Sequence, residues 1–144
     1  MFKVLTKPFL FIIVSFFSLT TTANDYIEIT QVKMPAVPPV SRTAAIYFNL
    51  HNHAKSEIKL VGVSTTASSH AMIHRTQQKN DIAKMQHIDE LVIAAESQFE
   101  FTVGNYHIML MGIKPNLISK PFKVMLEFEN LPAKEFIVEN FTKD

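Results

Sequence analysis

Asn105-Tyr106-His107-Ile108-Met109-Leu110-Met111-Gly112 is the stretch from which the rest of this 144-residue chain can be read. Its apolar density marks a strand, and in a strand residues two apart leave the same face. His107 and Met109 therefore project together. Upstream, Met85 precedes His107 by twenty-one intervening residues and His74 precedes Met85 by ten, which sets two imidazoles and two thioethers on three candidate strands. Such a donor set suits monovalent copper.

Working outward, Gly104-Asn105 has the composition of a two-residue hairpin turn, so Tyr106 to Ile113 is expected to run back beside a strand over Gln98 to Val103. His107 then lies near a strand start at the rim, open to solvent. On the upstream side, a strand over His70 to Arg75 and another over Lys84 to Ile88 flank a polar turn around Lys79-Asn80-Asp81. A turn centred between Lys79 and Asn80 places His74 directly opposite Met85.

The remaining segments alternate in the same way. Tyr26 to Val32, Thr43 to His51, Glu57 to Thr65, Glu90 to Ile93, Phe122 to Phe128 and Glu135 to Phe141 all read as strands. In the Phe122 strand, Phe122, Val124, Leu126 and Phe128 share one face. Met34 to Val40 holds Pro35, Pro38 and Pro39, so it is an extended crossover and not an interior strand. No amphipathic helix of ten or more residues stands out. The fold class is all-β, a single-domain sandwich or barrel over residues 24–144.

Residues 1–23 have the form of a cleavable export leader. Lys3 and Lys7 give the positive start, Phe9 to Leu19 the apolar stretch, and Thr21-Thr22-Ala23 the small-residue cleavage site. The apolar stretch is too short to span a bilayer as a helix, so no membrane span is expected after cleavage. Losing the two leader lysines turns the formal charge of +1 into −1, which leaves neither a nucleic-acid surface nor a polybasic membrane patch. Cysteine is absent. That excludes disulfides, a cysteine nucleophile and the blue-copper type of centre, which needs a thiolate.

Each donor also has a plain packing role open to it. Methionine in a strand is most often core filler, and a lone histidine is more often a structural hydrogen-bonding group. Met111 continues the His107 and Met109 face, and His70 and Met72 extend the His74 face, so alternation alone selects too many residues. Met111 reads as core or as support for the ligands, His70 and Met72 as outer contacts, and His87 as a solvated strand edge. His51 and His53 flank a loop and could make a weak surface site, with Glu57 the nearest carboxylate in sequence. Ser68 and Ser69 lie near His70, but no Gly-x-Ser-x-Gly elbow is present, which points away from an enzyme.

Taken jointly, the spacing His, ten residues, Met, twenty-one residues, His, one residue, Met resembles the signature of the periplasmic copper chaperones called PCu(A)C. It is met by His74, Met85, His107 and Met109 without a gap. Residues 105–113 and Thr43-Ala44-Ala45-Ile46-Tyr47-Phe48-Asn49-Leu50 are similar to the family as well. The resemblance implies a cupredoxin-like β fold, Cu(I) held at an exposed His2Met2 site, a periplasmic location, and delivery toward the CuA centre of cytochrome oxidase beside Sco-type thiol proteins. Leu117 to Lys120 and Asn130-Leu131-Pro132-Ala133 depart from the family pattern; some members carry a His- and Met-rich tail that adds a Cu(II) site, and Phe141-Thr142-Lys143-Asp144 is not of that kind. The competing expectation is an exported β-sandwich without metal, used for protein contacts.

Overall fold

The computed structural model describes residues 26–79 and 82–139. The expected leader, residues 1–23, lies outside them. Ten strands follow one another along the chain: β1 Ile27–Lys33, β2 Thr43–Asn52, β3 Ile58–Thr65, β4 Ser68–Lys79, β5 Ile82–His87, β6 Leu91–Ile93, β7 Ser97–Phe101, β8 Tyr106–Ile113, β9 Phe122–Phe128 and β10 Lys134–Val138. One short helix, α1 over Pro115–Ile118, joins β8 to β9. Among the described residues no helix is long and apolar enough to cross a membrane.

The strands form two sheets. In the first the order is β1-β2-β8-β4-β5, with β7 also paired to β2; in the second it is β10-β9-β3-β6. Alternation decides what lies between them. Strand β2 buries Ala44, Ile46, Phe48 and Leu50, β9 buries Phe122, Val124, Leu126 and Phe128, and β8 adds Ile108 and Leu110. These side chains belong to one continuous core. The odd-numbered residues of β2, His107, Met109 and Met111 of β8, and the even-numbered residues of β4 from His70 onward are thereby turned to the outer face of the first sheet.

Two pairings differ from the sequence expectation. Strand β7 does not form a hairpin with β8. Both pair antiparallel with β2, β7 along Phe48–Asn52 and β8 along Thr43–Ile46, so they run in the same direction one after the other. The turn at Gly104 is real, since Asn105 N–H donates to the Thr102 carbonyl at 3.1 Å and Gly104 has φ 79°. It jogs the chain between two partners of one long strand and does not reverse it.

The second correction concerns register. Lys79 faces Ile82, Thr76 faces Met85, and His74 faces His87. Met85 is thus displaced by two positions from the place opposite His74. A two-residue shift keeps every side chain on its face, so Met85 remains on the side of the sheet that carries His74.

Gly112 has φ 64°, and a Cβ there would come within 2.9 Å of Ser69 Oγ. Gly112→Ala should therefore lose about 1–2 kcal/mol from the left-handed backbone alone. The crowding against Ser69 adds to it. An unchanged urea midpoint in this variant would contradict the strain assigned to this position.

Candidate metal centre

His107 is held from three sides. Its strand partner on β4 is His74, its ring lies 6.2 Å from that of Tyr47, and its Nδ1 is 3.2 Å from the Asn105 carbonyl oxygen. A carbonyl only accepts, so Nδ1 carries the proton and Nε2 keeps its lone pair free for a ligand. The same carbonyl accepts the Thr76 N–H at 3.0 Å. The Gly104 turn thus ties β4 to β8 and orients the imidazole, an outer-shell support of the kind metal-ligating histidines commonly have.

His74 complements it. Its ring is 5.9 Å from that of His107, nearly perpendicular to it. A metal held through an imidazole nitrogen at about 2.0 Å sits roughly 3 Å from the ring centroid, so this separation suits one ion between the two rings. Nδ1 of His74 is buried and has no hydrogen-bond partner among the described residues. A buried polar atom left without a partner costs about 1–3 kcal/mol, a cost that a bound cation would remove.

Burial holds the His74 imidazolium disfavoured, and the neighbouring His107 and His87 act in the same direction, so its pKa lies below the ordinary value of 6.5. The ring is neutral and competent as a ligand down to lower pH than a free imidazole. Stability associated with neutral His74 is present above about pH 6.5 and is lost as pH falls through the depressed folded value. In an NMR titration of the metal-free protein the His74 ring should titrate below the free-imidazole range. A midpoint at the ordinary value would contradict this.

Met85, His107 and Met109 line one cleft of about 410 Å³, together with Tyr47, Ala45, Thr76, Val103, Gly104 and the Pro35–Pro38 segment. Met109 lies two residues beyond His107 and faces Ala45 on β2 and Met72 on β4. Met85 comes from the edge strand β5, diagonal to His74, a distance long side chains can bridge. The four expected ligands are thus brought to one face and one neighbourhood. The difference lies in exposure: His107 is only 3% exposed whereas Met85 is 56% exposed. The proline-rich crossover, anchored by buried Met34 and by Val37 against the core, forms part of the cleft lining. The solvent-open rim position expected for His107 is therefore not found: the ring is buried, and Met85 is the exposed member of the set.

Other histidines sort differently. His87 lies opposite His74 with rings 5.8 Å apart, a neighbour that sequence reasoning placed only at a solvated edge. Its Nε2 is engaged with Asp89 at 3.1 Å. His53 is paired with Glu28 at 2.9 Å, and His51 contacts Thr30 Oγ1 at 3.2 Å. Glu28, and not Glu57, is thus the carboxylate beside these two rings; the hydrogen bond to His53 holds it below the usual carboxylate range. Among the described residues no three His, Asp or Glu side chains gather as a metal-binding group. The donors that stand beside the imidazoles on the β4–β8 face are thioethers, which favour a soft monovalent ion over calcium or magnesium.

Comparison with known structures agrees with this architecture. A copper-bound PCuAC domain from PmoF2 superposes with a TM-score of 0.65 at 19% identity, covering 81% of this chain and 92% of that one. The solution structure of apo-DR1885 from Deinococcus radiodurans gives 0.60 at 23% identity over 96% of this chain and 95% of that one. The Cu(I) form of DR1885 gives 0.62 at 26% identity over 81% and 78%. A search among curated proteins finds no match. The LpqE-like lipoprotein family profile matches residues 27–139. With every strand of the described β-sandwich inside that match, the chain belongs to the LpqE-like family, that of the PCuAC domains.

Proposed function

We propose that this protein is an exported copper carrier that holds Cu(I) on His74, Met85, His107 and Met109 and passes it to a partner by ligand exchange. The observation that carries this is the pairing of His74 with His107 across β4 and β8, beside a cleft that Met85 and Met109 line. Solved relatives described as copper-bound and as Cu(I)-loaded support the choice of ion. Membership of a lipoprotein-like family and the leader-like residues 1–23 support export to the periplasm.

All four donors are neutral, so a bound Cu(I) keeps its charge and is retained by soft-ligand preference, not by ion pairing. Unequal exposure of the ligands suggests how release proceeds. His107 is fixed by Asn105 and enclosed, while Met85 stands on an edge strand whose residues are all exposed. An incoming thiolate would displace Met85 first and take the ion stepwise. The CuA-bearing subunit of cytochrome oxidase and Sco-type thiol proteins are the recipients that fit such a carrier.

Copper K-edge absorption at one equivalent of Cu(I) tests the ligand set. Mixed nitrogen and sulfur scattering is expected, with sulfur reduced in Met109→Leu. A first shell of nitrogen and oxygen only would overturn the assignment.

A further inference from the structure

Three consecutive rungs of the β4–β8 ladder carry only imidazole and thioether side chains on the outer face: His107 faces His74, Met109 faces Met72, and Met111 faces His70. The site proposed above takes the first rung and Met109, and draws Met85 from β5. Met72, Met111 and His70 remain unused.

These three are not core filler. The core side of the same two strands is occupied by Ile73, Ile108 and Leu110, all buried. Met72 and Met111 stand half-buried on the opposite face, and His70 is exposed. The outer face of an antiparallel sheet is ordinarily polar, yet here two thioethers and an imidazole occupy adjacent positions. Directly paired side chains start about 4.5–5.5 Å apart at Cβ, and successive positions on one face lie roughly 6.8 Å apart along the strand. Met72, Met111 and His70 thus occupy three corners of one small rectangle whose fourth corner is Met109. Flexible thioethers can converge from such corners on a single ion.

We propose that His70, Met72 and Met111 form a second station for Cu(I), one rung from the first and bordering it at Met109. Neither thiolate nor carboxylate contributes, so the set selects a soft monovalent cation. With three donors and an exposed histidine, it holds the ion less tightly than the four-ligand site. Its own ligands define the station; its role as a loading position, from which copper moves along the ladder with Met109 common to both sites, rests on the function proposed above.

The test is an anaerobic Cu(I) titration of the purified protein carrying labelled methionine methyl groups, followed by NMR. The first equivalent should shift Met85 and Met109, and the second Met72 and Met111. Met72→Leu with Met111→Leu, a volume-conserving pair of changes, should lose the second equivalent and keep the first. In His107→Ala, which disables the first site, Met72 and Met111 should still respond. Still signals from Met72 and Met111 through two equivalents, in protein whose Met85 and Met109 move, would overturn the station and leave the first site standing. Movement of Met72 and Met111 with Met85 silent in the unmodified protein would instead support the station and overturn the four-ligand site.

Discussion

His107→Ala should weaken Cu(I) binding by more than about 100-fold, since loss of mere outer-shell support already costs 10–100-fold at metal sites and this change removes a ligand. Three features concentrate the effect at this residue. Its Nε2 is left free by the Asn105 carbonyl at Nδ1, its ring is the strand partner of His74, and its enclosure admits little water to replace it. The fold should survive, because His107 points away from the core that Ile108 and Leu110 fill. Competition against a chromophoric Cu(I) chelator, with circular dichroism as the control, reads both quantities. Unchanged affinity in a folded variant would remove His107 from the site.

Phe48→Ala should have the largest effect on stability. Phe48 is 1% exposed, stacks on Phe101 with centroids 4.2 Å apart, and touches Phe136 at 5.1 Å. It therefore joins the two sheets: β2 and β7 contribute two of the rings and β10 the third. Truncating a buried phenylalanine costs about 3–5 kcal/mol, a large part of the roughly 5–15 kcal/mol that holds an ordinary domain together. A fall in Tm of at least about 10 °C is expected. A shift of only a degree or two would mean that the three rings do not form the central packing unit.

Much of this architecture was legible in local pattern. Tyr106–Ile113 and Phe122–Phe128 occupy the expected ranges, because alternation with one buried face fixes both the period and the side. Long-range partners were not legible in the same way. The Gly104 turn has hairpin composition, but the choice of β2 as the common partner of β7 and β8 depends on contacts distant in sequence.

Similar reasoning explains the candidate site. A turn centre inferred from polar residues put Met85 opposite His74, whereas the actual partner is His87. The four expected ligands still share a face because the displacement is an even number of residues. Burial of His107 was not legible because the cleft it lines is shared with Pro35–Pro38, some seventy residues earlier in the chain. The orphaned Nδ1 of His74 and the carbonyl behind His107 are features of three dimensions alone.

One tight Cu(I) is expected to be shared by two imidazoles on β4 and β8 and two thioethers on β5 and β8. Anaerobic titration of the purified protein against a chromophoric Cu(I) chelator, alongside Met85→Leu and Met109→Leu, addresses it most directly. One tight equivalent, weakened in each variant while the fold is retained, is the predicted result. Equal affinity in all three proteins, or no tight equivalent in the unmodified one, would contradict it.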